Sequence, residues 1–374
     1  MKNLKEYIIE GIFDTDEDTI DESIKDQIKR FLEDNFREAS SCKISDKPNA
    51  DGKYEVSSLR DVVVKNKKIT SLTNGLFIWT EVGGDFDCFG CSSLTSLEGA
   101  PKEVGCTFSC GGCRSLKSLK GAPEKVDRWF RCNDCKSLTS LEGAPEEVGG
   151  FMCICCDSLK SLEGAPRKVV GAFDCGVCNS LTSLKGTPEK VGGEFNCVGC
   201  DLLKSLEGAP KEVGGDFICN SCDSLESLKG APEKVGGGFI CIKCKSLTSL
   251  KGMPKEVNYF NCSKCNSLKS LKGSPKKISG NFNCSYCDSL TSLEGSPEVV
   301  RRSFNCSKCN SLTSLKGSPE KIGGNFTCAN CKSLKSLKGI PKEIGKNFNC
   351  QSCNIKFTRN DVKTVSMVNG NIYV

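Results

Sequence analysis

Cysteine is the residue type with the most obvious chemistry in this chain, 29 of them in 374 residues. Most stand in Cys-x-x-Cys pairs, with first members at positions 88, 110, 132, 153, 175, 197, 219, 241, 262, 284, 306, 328 and 350. Such a pair is the usual supplier of ligands to zinc and to iron–sulfur clusters. Geometry weighs against that use here. The pairs recur every 22 residues, twice every 21, and a period in that range marks coils stacked on one another. Stacked strands lie about 4.8 Å apart. Four thiolates on one zinc, at about 2.3 Å each, need sulfurs roughly 3.8 Å apart, and linked half-cystines need Cβ atoms equally close. Buried, reduced, structural thiols are therefore expected, because free cysteine packs as a small hydrophobe with a weak donor. Zinc or iron–sulfur held across coil pairs, and regulatory disulfides, stand as the alternatives. Cys42, Cys106 and Cys155 fall outside the pattern and are the candidates for reactivity.

No other residue type suggests catalysis. The chain has no histidine, which removes histidine-based acid–base chemistry and histidine-ligated metal. The serines follow the repeat beside leucine, and Gly-Gly recurs as a turn without the helix that a phosphate loop requires. No catalytic residue and no cofactor are expected, and the chain is read as a non-enzyme.

The elements that must position the thiols follow from one copy, FDCFGCSSLTSLEGAPKEVGCTF, which begins at Phe86. Phe-x-Cys is a short alternation that puts Phe and the first Cys on one face of a strand. The next two residues and the second Cys turn the chain, Ser-Leu-x-Ser-Leu runs along another wall, and Gly-x-Pro stops it. Val or Ile returns to the interior before Gly-Gly leads to the next strand. No segment between these breakers is long enough for a helix. Thirteen of the 19 Phe stand at this strand position, one in each copy, so the core is thin and continuous.

Four segments result. Residues 1–40 read as helix, with Leu4, Ile8, Ile9 and Ile12 on one face and Ile20, Ile24, Ile28, Phe31 and Leu32 on another. They suit an end cap for the apolar first coil, or a docking segment. Residues 41–81 form a degenerate first coil in which Ile69 and Leu72 replace Leu94 and Leu97. Residues 82–353 are the regular array, and residues 354–374 offer a capping strand in which Ile372 and Val374 take the Phe and Cys positions.

The charge balance is +6, but the first 60 residues carry 10 basic and 15 acidic side chains, leaving about +11 for the rest (6 + 5). After each Gly-x-Pro come pairs such as Lys102-Glu103, Glu124-Lys125, Glu146-Glu147 and Arg167-Lys168. Stacking would set opposite charges side by side on a solvated edge. Nucleic acid is not expected as a partner, since it calls for a one-signed stripe with arginine or aromatic readers. The first residues lack the features of a signal peptide, and no run reaches the length of a membrane span. A reducing cytoplasm, in a bacterial or phage-infected cell, is the expected location.

The order Phe-x-Cys-x-x-Cys-x-x-Leu-x-x-Leu resembles the core of leucine-rich repeats, with Cys91 and its equivalents where that family carries Asn or Cys. Gly90-Cys91-Ser92-Ser93-Leu94-Thr95-Ser96-Leu97, followed by Pro101 and Val104, is most similar to the BspA-like branch. A likeness also extends to Cys-x-x-Cys repeat proteins of gut bacteria and their phages. The resemblance covers about 270 residues (82–353). It implies a mainly β fold, a parallel β-solenoid of leucine-rich-repeat type with about 13 coils and a small N-terminal helical segment, whose strand face binds protein partners.

On such a strand the residues flanking the inward Phe and Cys point outward. Trp129 and Arg131, Met152 and Ile154, Val198, Ile218, Ile240 and Ile242, and Tyr259 give the middle coils an apolar outward strip, which later coils replace with Asn261, Asn283, Asn305 and Asn349. Exposed apolar patches mark interfaces, although β-branched residues also favour strands by propensity alone. The expected function is a non-catalytic scaffold that recognises a protein through this strip. A metal-loaded or thiol-redox solenoid, and a virion or filament component, are the alternatives.

Overall fold

The computed structural model describes residues 17–354 and 356–374. The helical face expected from Leu4 to Ile12 lies outside the described residues. Helix α1 (Glu17–Asn35) runs into strand β1 (Phe36–Arg37), and short strands β2 (Lys43–Ile44), β3 (Tyr54–Ser58), β4 (Val62–Val64) and β5 (Phe77–Val82) follow. From there the chain is a parallel β-solenoid, each coil adding a two-residue strand at Phe and, in most coils, another at Val or Ile.

The pairing is in register. Phe86 lies beside Phe108 and Phe108 beside Phe130, continuing to Phe326 beside Phe348 and Phe348 beside Ile372. Every other backbone N–H of this wall donates to the next coil: Phe86 to Thr107, Cys88 to Ser109 and Gly90 to Gly111, at 2.7–2.8 Å. The expected alternation holds, since Phe, both cysteines and both leucines of the regular coils are buried, Cys353 of the last coil excepted. Their side chains form columns. Successive Phe rings of the array have centroids 4.9–6.1 Å apart, and most pairs are stacked, as in Phe282–Phe304 at 4.9 Å and 4°.

The ends of the column are closed differently. At the start, Ile28, Leu32 and Phe36 are buried, and Phe36 meets Trp79 edge-on at 5.4 Å and Phe86 at 6.2 Å. Helix α1 and β1 thus cover the apolar face of the first coil, as a solenoid end requires. Ile69 and Leu72 are buried. At the other end Ile372 pairs with Phe348 as expected, but Val374, expected at the Cys position, is exposed, and a short helix, α2 (Arg359–Lys363), precedes the strand. Thr358 and Asp361 cap α2 reciprocally, a capping box that the sequence reading missed.

The two 21-residue steps are where the walls adjust. Both shorten the turn between Val and Phe. At the first, the neighbouring coils respond with longer strands, Lys125–Arg131 and Glu147–Met152, with a bulge between Val148 and Gly150. At the second, Val257 joins no strand, and the Val wall resumes at Lys277–Ile278 as a separate five-stranded sheet. Asn258 bridges the gap, its N–H donating to the Gly237 carbonyl and its Nδ2 to the Gly236 carbonyl.

The charged edge matches its reading. Lys125 reaches Glu103, Lys168 reaches Glu147, and Arg167 reaches Glu146. Lys120–Glu142, Lys185–Glu163 and Lys229–Glu207 repeat the arrangement after the second Leu at 2.7–3.1 Å. All are exposed, so each contributes only a few tenths of a kcal/mol to about 1 kcal/mol. Like-charged neighbours would cost a similar amount, which makes the alternation a modest device for coil register.

Candidate protein-recognition face

The thiols form two inner columns. Among the described residues all 29 cysteines are free, and only Cys42, Cys106, Cys155 and Cys353 are more than marginally accessible. The second cysteine of a coil donates its S–H to the carbonyl of the first cysteine one coil earlier: Cys113 to Cys88, Cys135 to Cys110, and so on to Cys353 to Cys328, at 3.0–3.4 Å. This rung satisfies a carbonyl that the tight Cys-x-x-Cys turn leaves pointing inward, where an unpaired acceptor would cost roughly 1–3 kcal/mol. The residue before each second cysteine is left-handed, from Gly90 at φ +74° to Ser352 at φ +61°, and ten of the thirteen are not glycine.

The first thiol of each pair is held above the ordinary thiol range, whereas hydrogen bonds to Cys88, Cys153 and Cys241 lower the Cys113, Cys178 and Cys265 thiols, which burial still shields from solvent. Burial pushes Cys132, Cys262, Cys284 and Cys306 well above that range, and Cys91 and Cys331 to about 12. Cys42, a candidate for reactivity, is itself raised to about 11 by burial. No group of three or more Cys, Asp or Glu converges as a metal site among the described residues. One consequence is measurable. Iodoacetamide at neutral pH should modify no more than four thiols of the native protein, those at 42, 106, 155 and 353, and the remainder only in denaturant. Prompt alkylation of the paired cysteines, counted by intact mass, would refute the inward columns.

The outward face carries the nine residues singled out in the sequence, and the structure gives them different surroundings. Arg131 is exposed and the other eight are half-buried. Ile218 and Ile240 are register partners and stand side by side. Their column continues to Asn196 and Asp174 on one side and Asn261 on the other, so Met152 is separated from them by two polar coils. Ile154, Val198 and Ile242 lie one column over, alternating with Gly176 and Asn220. The strip is therefore two apolar clusters with polar coils between them.

Trp129 and Tyr259 have a structural task that sequence reasoning missed. Each marks one of the two short steps. Gly150 has the Trp129 ring where its Cβ would be, at 2.6 Å, and Gly238 has the Tyr259 ring at 2.2 Å. The aromatic lies flat over a neighbouring glycine and closes the irregularity. Arg131 rests against Trp129, 5.7 Å from its ring centroid. Tyr259 reaches across Gly238 to donate its hydroxyl to Asp216 at 2.6 Å, and burial together with that bond raises it to about 12. The signal was present in the sequence as an aromatic and a glycine at equivalent positions beside each missing residue.

The asparagines also have a local role. Asn196, Asn261, Asn283, Asn305 and Asn349 each accept the N–H two residues on, at 2.9–3.0 Å, a side-chain turn that fixes the bend after the strand. After Met152 and Ile240, the coil before supplies the acceptor. Asn133 takes the N–H of Ile154, and Asn220 takes that of Ile242. These two apolar outward residues are thus accommodated by asparagines one coil upstream.

Together these features define a class: a parallel β-solenoid with a thiol and phenyl core and a chemically varied strand face. Among solved structures the chain is similar to a leucine-rich repeat protein from Bacteroides ovatus, with 16% identity over 88% of this chain and 98% of that one and a TM-score of 0.37. No family profile and no curated protein matches the chain.

Proposed function

We propose that the chain is a non-catalytic scaffold that recognises a protein partner through its strand face. The observation that carries this reading is the side-by-side pair Ile218 and Ile240 with Ile242 next to them, half-buried branched side chains, the N–H of Ile242 being already satisfied by Asn220. The inward wall does the packing, so these three are free to contribute contact area to another molecule. The thiols serve the core in this reading, and a purified protein should hold fewer than about one zinc or iron per two coils, a metal-linked fold being the alternative such an analysis would reveal.

The test replaces Ile218, Ile240 and Ile242 together with Asp. All three point outward, so circular dichroism and the unfolding midpoint should stay near those of the parent. Capture of the partner in a pull-down should fall by at least about 100-fold, the scale of a lost interface centre. Capture unchanged by the triple substitution would count against the face.

A further inference from the structure

The strand face is divided by charge. Residues 171–177, 192–199 and 214–221 hold Asp174, Glu194 and Asp216 and no cation, whereas residues 258–264, 279–286, 301–308, 323–330 and 345–352 hold Lys264, Arg301, Arg302, Lys308 and Lys346 and no acid. None of these eight takes part in an ion pair among the described residues, although carboxylates along the loop edge are repeatedly matched by a lysine one coil away. Asp174 and Asp216 accept only neutral donors. Burial and then the neighbouring Asp216 and Asp174 raise the Glu194 carboxyl, in keeping with a negative cluster that lacks a counter-charge. The five cations are exposed.

The acidic and basic coils lie on opposite sides of one junction. Counting from the junction between the coils of Phe239 and Phe260, Glu194 belongs to the third coil on one side (Phe195) and Arg301, Arg302 and Lys308 belong to the third on the other (Phe304). The junction carries Ile240, Ile242 and Tyr259, with Lys243 and Lys264 at its edge. An apolar centre with acidic coils on one side and basic coils on the other suits an isologous two-fold interface, since each patch then meets its complement twice.

We infer that the strand face pairs with that of a second copy of this chain, antiparallel, the Ile240 and Ile242 coils meeting at the two-fold axis and Glu194 of each copy facing Arg301 and Arg302 of the other. This rests on the reading of the face as a protein-recognition surface and names the partner. It accounts for the acidic coils, the apolar junction and the basic coils at once, whereas a nucleic acid would use only the last and be repelled by the first.

The experiment is a charge swap on the full chain, read by sedimentation velocity at about 50 µM protein in about 50 mM salt, where screening is weak. Wild type should sediment at twice the protomer mass and dissociate toward monomer in about 1 M salt. Glu194→Lys alone, and Arg301→Glu with Arg302→Glu, should each weaken self-association at least about 100-fold through like-charge contacts, with circular dichroism and melting unchanged. Mixing the two variants should restore the dimer, because every reversed contact then finds its opposite. A monomeric wild type, or a mixture no better than its components, overturns the proposal, as does a monomer that takes up single-stranded oligonucleotide on the basic coils. A monomer that still captures a different protein, and loses it in the triple Ile variant, overturns the dimer alone and leaves protein recognition standing.

Discussion

Phe217→Ala should lower the unfolding free energy by about 4 kcal/mol, the size expected for an aromatic side chain removed from a packed interior. Phe217 is fully buried and stands between Phe195 at 5.3 Å and Phe239 at 5.0 Å. The ring is shared by two coil interfaces, so its removal weakens both. In a stacked array the nearest-neighbour contacts supply most of the stability, and no other part of the thin core can collapse into the vacancy. Urea unfolding followed by circular dichroism measures the loss. A cost below about 1 kcal/mol would mean that the phenyl column is not the core.

Gly208→Ala should cost about 3 kcal/mol for a different reason. Gly208 is the glycine of Gly-x-Pro, with φ +90°, and an added Cβ would lie 2.4 Å from the Lys185 nitrogen and 2.6 Å from the Leu184 carbonyl carbon of the coil before. Those are backbone atoms that cannot rotate aside. The left-handed conformation contributes about 1–2 kcal/mol, and forcing the coils apart contributes the rest. Gly52→Ala is the control, since Gly52 has φ +72° with nothing within 4 Å of its Cβ position. It should lose only about 1 kcal/mol in the same urea titration. Equal losses at the two sites would assign the whole effect to backbone conformation and none to the stacking distance.

These two sites show what was legible in the sequence. The period, the inward Phe, Cys and Leu, the breaker at Gly-x-Pro and the alternating charges all repeat at fixed positions, and a repeated position in a stacked fold has one environment. The parallel register of Phe86 with Phe108 and the Lys168–Glu147 pair follow from that alone. What sequence reasoning missed depends on contacts between coils that differ. The Tyr259 hydroxyl bonds a residue 43 positions earlier, and the Ile242 N–H is satisfied from Asn220. Neither is visible to a reading that takes one copy at a time. The asparagines of the later coils looked like the end of a recognition strip, but their oxygens are committed to the N–H two residues on. Helix α2 escaped notice because five residues carry too little periodicity to announce it, even with Thr358 and Asp361 in place.

The in-register pairing of coil upon coil has a consequence for ancestry. Because Phe173 meets Phe195 in the same way that Phe195 meets Phe217, a tandem duplication of residues 173–194 would splice in one more turn without disturbing any rung above or below it. Array length is then a freely adjustable quantity, open to unequal recombination, and the rod can grow or shrink like a ruler cut between its marks. A loss of a single residue has no such freedom, and the two places where one occurred still carry a patch of tryptophan or tyrosine.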